Sequence, residues 1–194
     1  MGDRLIIGVD EAGRGPLAGP VVAAAAILTP SQKESLLALG LNDSKKLTPV
    51  KREKIFKVML SLGVVWKAQA ASPRRIDSMN ILQATLWAMY RSVKKLPPVF
   101  DEIIVDGNIR IPYLEGVSQQ AMPKADSLIP EVAAASVIAK VLRDRAMIAL
   151  DRVYPQYEFA KHKGYPTVKH RTLIAHFGLS PIHRKSFTWK VPTP

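Results

Sequence analysis

Cysteine is absent from this chain of 194 residues, which excludes a disulfide framework, thiolate metal sites and a cysteine nucleophile together. Long apolar runs are absent too. The longest, residues 21–28, falls far short of the ~20 residues that span a bilayer. The opening Met1-Gly2-Asp3-Arg4 shows no secretory-signal pattern, so a cytoplasmic protein with no membrane partner is expected. Acidic residues are scarce. Against 28 Lys+Arg stand 16 Asp+Glu, giving a net charge of +12 and a pI near 10.0. Such an excess points to a polyanionic partner without separating an enzyme from a passive binder. No repeat, low-complexity tract or Gly/Ser linker divides the chain. A chain this long can bury roughly 70% of its unfolded surface around one core, so one domain over 1–194 is expected.

The charge is unevenly placed. Residues 161–194 hold seven Lys/Arg and no acid, together with all four histidines, His162, His170, His176 and His183. This stretch is either a solvated basic face or part of a binding surface. The histidine spacings do not match a compact zinc-ligand pattern.

Apolar patterning predicts a mixed α/β chain. Residues 5–9 form a short buried-strand run ending at Asp10, and residues 21–28 form another after a Gly-rich turn. Thr48-Pro49 starts a helix that Gly63 closes, with Val50, Ile55, Val58 and Met59 on one side and Lys51, Arg52, Lys54 and Lys57 mostly on the other. Residues 64–71 resume a strand, 80–96 have helical spacing, and 102–105 form a strand ending at Asp106. A long Ala-rich helix runs over 130–153, and a shorter one over 167–177 has Gly178 as its C-cap.

Two strands that each end in a carboxylate are informative, because ligand sites in α/β sheets form beyond the carboxyl ends of strands. If the strands at 5–9 and 102–105 are parallel neighbours, Asp10 and Asp106 emerge side by side. Together with Glu11 and Asp126 they make an oxygen-only donor set suited to Mg²⁺ or Mn²⁺. A pair of such ions can activate water and stabilise the leaving oxygen of a phosphodiester. Taken singly, each residue has another explanation. Asp10 could form a turn or cap a helix, Asp106-Gly107-Asn108 could be a plain turn, and Asp126 could cap the long helix.

The motifs as a set are more specific. Asp10-Glu-Ala-Gly-Arg-Gly-Pro-Leu-Ala-Gly-Pro20, Asn42-Asp-Ser-Lys-Lys-Leu47 and Ile104-Val-Asp-Gly-Asn108 stand in order along the chain. After them come Lys124-Ala-Asp-Ser127, Pro130-Glu131, Ala133-Ala-Ala-Ser-Val-Ile-Ala-Lys-Val-Leu-Arg-Asp144, His162-Lys-Gly-Tyr-Pro-Thr167 and Ser180-Pro-Ile-His-Arg-Lys-Ser-Phe187. Over about residues 4–187 the sequence closely resembles ribonuclease HII, the type 2 ribonuclease H family.

The resemblance implies a ribonuclease H-like fold, a five-stranded mixed sheet flanked by helices, with a small basic helical extension over about 155–194. It implies hydrolysis of the RNA strand of RNA/DNA hybrids and nicking 5′ to ribonucleotides embedded in duplex DNA. The products carry 3′-hydroxyl and 5′-phosphate ends. Asp10, Glu11, Asp106 and Asp126 would be the catalytic, metal-binding carboxylates for two Mg²⁺ or Mn²⁺ ions. Asp144 is read instead as a surface partner of Arg143 or Arg145.

Gly13, Arg14 and Gly15, with Tyr165, would recognise the ribonucleotide. Telling RNA from DNA requires contact with the 2′-hydroxyl, and glycines let backbone approach where a Cβ would clash. Taken alone, the turn could be ordinary and Tyr165 a half-buried packing residue. Lys45, Lys46, Lys163 and Ser136 are candidate phosphate contacts. No Gln-led aromatic peptide for docking a sliding clamp follows Trp189, and a monomer is expected. The competing expectations are a non-catalytic hybrid-binding module and a different two-metal phosphoryl-transfer nuclease on the same fold.

Overall fold

The structure is a computed structural model describing residues 4–190. The extreme ends, on which the signal-sequence and clamp-tail expectations bear, lie outside it. Five strands, β1 (Ile6–Ala12), β2 (Val21–Ile27), β3 (Val65–Ala71), β4 (Glu102–Asp106) and β5 (Gln119–Met122), form one sheet in the order β3-β2-β1-β4-β5. The β1–β2 and β2–β3 pairs are antiparallel, whereas β1–β4 and β4–β5 are parallel. The expected five-stranded mixed sheet is therefore present, with Asp10 and Asp106 on neighbouring parallel strands.

The helices are α1 (Pro30–Ala38), α2 (Pro49–Ser61), α3 (Pro73–Met79), α4 (Ile81–Val93), α5 (Pro130–Val153), α6 (Phe159–His162) and α7 (Val168–Phe177). Thr48 caps α2 by accepting from the Lys51 amide, and Thr167 caps α7 by accepting from that of His170. Periodicity did not mark α1, α3, α6 or β5. The first three are short, and β5 is Gln-Gln-Ala-Met at a sheet edge. The α1 start is set instead by a capping box, in which Thr29 and Gln32 satisfy each other's backbone amides.

Two helices sandwich the middle of the sheet. Ile7, Val9, Val21, Ala23 and Ala25 pack toward Ala84, Leu86, Ala88 and Met89 of α4. Ala24 and Ala26 pack toward Ala133, Ala134, Val137 and Ile138 of α5. Strand β2 is buried on both faces, and its four consecutive alanines keep both layers close. The approach is tightest at Gly8, where a Cβ would meet the Glu131 carbonyl carbon at 2.1 Å.

The expected face of α2 needs correction. Val50 is 81% exposed, whereas Arg52 is buried along with Ile55, Phe56 and Met59. Val50 lies in the first turn, beyond the packed part of the helix. Arg52 turns inward because its Nη1 donates to the Ser44 and Leu47 carbonyls at 2.7 and 2.6 Å, fixing the loop that carries Lys45 and Lys46.

The C-terminal extension docks through backbone and histidines. Leu17 N donates to Gly164 O at 2.8 Å, and Gly19 N to Ile182 O at 2.9 Å. His162 Nδ1 accepts from Gly164 N (3.1 Å) and its Nε2–H donates to Tyr157 O (2.8 Å). His170 Nδ1–H donates to Tyr165 O at 2.9 Å, and His183 Nδ1 accepts from Ser180 N at 2.9 Å. Those partners leave His183 Nε2–H to donate to His170 Nε2, 3.1 Å away. Each of these three rings is neutral, with its nitrogens taken up by hydrogen bonds inside the protein. Burial foremost pushes His170 and His183 down to about 4. Their contribution to stability is whole above about 6.5 and is lost as pH falls through about 4. Hydrogen-exchange protection at Gly164 and Ser180 should therefore fall between pH 6.5 and 4 while that of β1 amides holds, and equal protection loss at both would contradict the assignment.

Candidate active site

Asp10 lies inside β1 rather than after it, and its carboxylate accepts from the Glu11 amide at 2.6 Å. It leaves the sheet on the α5 face, as does Asp106 at the end of β4. The Asp106 carboxylate accepts from Ala125 N at 2.9 Å, which anchors the short 3₁₀ turn Ala125–Ser127 and brings Asp126 inward. Asp126 does not cap α5, whose first residue follows Ile129 with no side-chain cap. One ligand oxygen from each of Asp10, Asp106 and Asp126 lies within 4.8 Å of the others.

Glu11 occupies a different position. As the next residue on a strand it leaves from the opposite face, beside Thr85, Leu86, Met89 and Asp106. Arg14 pairs with it at 3.7 Å. It stands at the rim of the three-aspartate group, close enough to raise the pKa of Asp10.

The electrostatics are those of acids crowded away from water. Burial foremost, then the charges of Glu11 and Asp106, holds Asp10 well above the usual carboxylate range. Burial also raises Glu11, with Arg14 and Lys45 opposing. Asp126 is pushed up to about 6 by burial first, then by Asp106 and Asp43. Three convergent oxygen donors, two of them buried, fit a hard divalent cation and lack the nitrogen or sulfur ligands favoured by softer ions.

The basic candidates surround this group unequally. Burial opposes the charge of Lys45, but Asp10, Asp43, Asp126 and Asp106 together keep its pKa raised. Lys46 Nζ donates to Ser127 Oγ at 3.0 Å, next to Asp126. Lys163 donates to the Ala160 carbonyl and borders a separate cleft beside Asp144 and Arg145. Ser136 is buried behind the carboxylates, where its hydroxyl reaches Ser44 Oγ at 2.9 Å and favours ionised Asp10. Arg14 and Gly15 are exposed, nothing lies over Gly15, and Tyr165 is 40% exposed.

Asp144 does not pair with Arg143 or Arg145. It accepts from Lys140 at 2.8 Å and lies 3.8 Å from Arg52, because the i,i+4 spacing on α5 places Lys140 beside it. Asp43, beside Asp126, and the buried Arg143 and Arg184 were not singled out from the sequence. Asp43 lies within the Asn42-Asp-Ser motif, and the two arginines within the motifs ending at Asp144 and Phe187, but no apolar or polar pattern marks either arginine as buried.

A family model described as Ribonuclease HII matches residues 7–190. A ribonuclease HII from Francisella philomiragia is 47% identical over 183 residues, covering 94% of this chain and 96% of that protein. The crystal structure of ribonuclease H2 from Pyrococcus horikoshii superposes with a TM-score of 0.77 at 30% identity, covering 94% of this chain and 93% of that one. The Archaeoglobus fulgidus RNase HII, solved in complex with PCNA, also gives 0.77 at 28% identity, covering 93% and 92%.

The carboxylate group yields a stability prediction. Folded Asp126 ionises near 6 rather than near 3.8, so the folded state retains a proton over that interval and stability falls as pH rises through it. In EDTA, Asp126→Asn should become more stable than the parent by on the order of 2 kcal/mol as pH rises from about 4 to above 6. Millimolar Mg²⁺ should stabilise the parent and shrink that difference. A difference in melting temperature that is flat across this range would remove Asp126 from the repelling group.

Proposed function

The chain belongs to the ribonuclease HII family, and from that premise we propose that it is a divalent-metal-dependent endoribonuclease. It hydrolyses the RNA strand of RNA/DNA hybrids and nicks 5′ to ribonucleotides embedded in duplex DNA, leaving 3′-hydroxyl and 5′-phosphate ends. The observation that carries this proposal is the convergence of Asp10, Asp106 and Asp126 within 4.8 Å at the carboxyl ends of two parallel strands.

These three aspartates, with Glu11 at their rim, would hold two Mg²⁺ or Mn²⁺ ions. Bound there, such ions supply activation of the attacking water and neutralisation of charge on the departing oxygen. The protein's own groups do the positioning. Lys45 and Lys46, on the loop fixed by Arg52, draw the scissile strand's phosphates toward the acids, and Lys163 contacts backbone farther out. Phosphate contacts of this kind orient a duplex without reading its bases. Ser136 serves from behind, orienting Ser44 and Asp10. The turn of Gly13, Arg14 and Gly15, exposed at Arg14 and Gly15, receives the ribonucleotide from one side and the Tyr165 ring from the other, so that sugar chemistry decides where cutting occurs.

The basic extension over about 155–194 belongs to the same catalytic unit and contributes to duplex binding. The protein acts as a cytoplasmic monomer. Among the described residues no helix is long and apolar enough to cross a membrane.

The test is a DNA duplex containing one ribonucleotide, incubated with Mg²⁺, with Mn²⁺ and with EDTA. A metal-dependent nick 5′ to the ribonucleotide is expected, and Asp10→Asn should lower turnover by about 10²–10³-fold or more while duplex binding persists. Salt-dependent binding with no turnover in either metal would leave a hybrid-binding module. Cutting of an all-DNA duplex would indicate a different two-metal nuclease.

A further inference from the structure

Arg143 and Arg184 are the largest fully buried side chains, and among the described residues neither takes part in an ion pair. A guanidinium shut away from water without a carboxylate is costly unless its donors are satisfied. Here backbone carbonyls satisfy most of them. Arg143, on α5, donates from Nε to Pro20 O at 3.0 Å and from Nη2 to Lys163 O and Ala18 O at 3.0 and 3.3 Å. Arg184 donates from Nε to Gly19 O at 3.0 Å, from Nη1 to Arg14 O at 2.8 Å and from Nη2 to Gly13 O at 2.6 Å. Its backbone N–H adds Leu17 O at 2.8 Å.

The acids that act on these groups are engaged elsewhere. Asp144 contacts Lys140 and Arg52, and Asp77 accepts from the backbone of Lys185 and Ser186. Burial first, then the charge of Arg143, presses Arg184 down to about 9, which leaves it protonated at neutral pH. Two uncompensated positive charges therefore sit behind the segment from Gly13 to Pro20.

The consequence is directional. The carbonyls of Gly13, Arg14, Leu17, Ala18, Gly19 and Pro20 all turn inward onto the two arginines. The N–H groups of the exposed Arg14 and Gly15 donate to no protein group among the described residues. The same guanidinium that holds Lys163 O has its central carbon 5.6 Å from the Tyr165 ring centroid, and its Nη1 is buried without a partner. The fit leaves no slack: Gly13 has φ +99°, and a Cβ there would stand 1.9 Å from Arg143 Nε.

We propose that Arg143 and Arg184 are positioning residues for ribonucleotide recognition, drawing the carbonyls of the 13–20 segment inward so that its amides and an uncompensated positive field face the sugar–phosphate held opposite Tyr165. This rests on the function proposed above. It adds that discrimination between ribose and deoxyribose depends on two side chains that never touch the substrate.

The test measures binding of fluorescein-labelled duplexes, one with a single ribonucleotide and one all DNA, to protein carrying Asp10→Asn, alone and combined with Arg184→Lys or Arg143→Lys. Lysine keeps the charge but cannot hold three carbonyls at fixed angles. The preference for the ribonucleotide duplex should fall about tenfold, with all-DNA affinity little changed. A folded lysine variant that keeps the full preference overturns the assignment, as does an equal loss on both duplexes.

Should the lysine variants fail to fold, NMR of the Asp10→Asn protein in EDTA decides. The Nε–H signals of Arg143 and Arg184 should be protected from exchange and should shift on adding the ribonucleotide duplex but not the all-DNA one. Equal shifts, or none, count against the proposal. Absence of any preference in the Asp10→Asn protein itself would instead count against the function on which it rests.

Discussion

The rest of the structure depends on how closely α5 lies against β1. A single methyl on Gly8 would penetrate the Glu131 backbone, so the strand must be bare there for the helix to seat. Once seated, α5 serves three ends along its length. Its small residues close the core against Ala24 and Ala26, Ser136 lies behind Asp10, and Arg143 reaches the Pro20 and Lys163 carbonyls beside Tyr165. One helix thus fixes the acidic centre and the Gly13–Pro20 segment relative to each other.

The charges placed along that helix are arranged against stability. Three aspartates converge, Asp10 and Asp126 with raised pKa values, and two arginines are buried without carboxylate partners. Pairing the two sets would relieve both, since each could neutralise the other. Keeping them apart leaves the acids free for cations and the positive field free for a polyanion. The basic protein and its acidic centre are two halves of one device for bringing a phosphodiester to metal.

The sequence was legible where local physics decides. Thr48-Pro49, Thr167 and the run from Pro130 to Val153 gave helices where patterning placed them, and Asp106 ends β4 as expected, whereas β1 runs two residues past Asp10. Short polar elements such as α1 and β5 were not legible, because neither has a periodic apolar face. The orientation of Arg52 was illegible for a related reason. At helical spacing it belongs with the lysines, and only the Ser44 and Leu47 carbonyls on a separate loop turn it inward.

The sequence alone determined the family, the mixed sheet and the identities of the acidic residues, because ordered motifs and strand-end carboxylates are local features. Tertiary structure decided how they divide. It brought Asp10, Asp106 and Asp126 together and set Glu11 at their rim, since adjacent strand residues leave opposite faces. It also gave Asp144 to Lys140 and Arg52, and packed His162, His170 and His183 together as neutral rings. The burial of Arg143 and Arg184 had no local sign at all. Their partners are carbonyls more than a hundred positions away for all but Lys163, and only the packed fold brings such groups into contact.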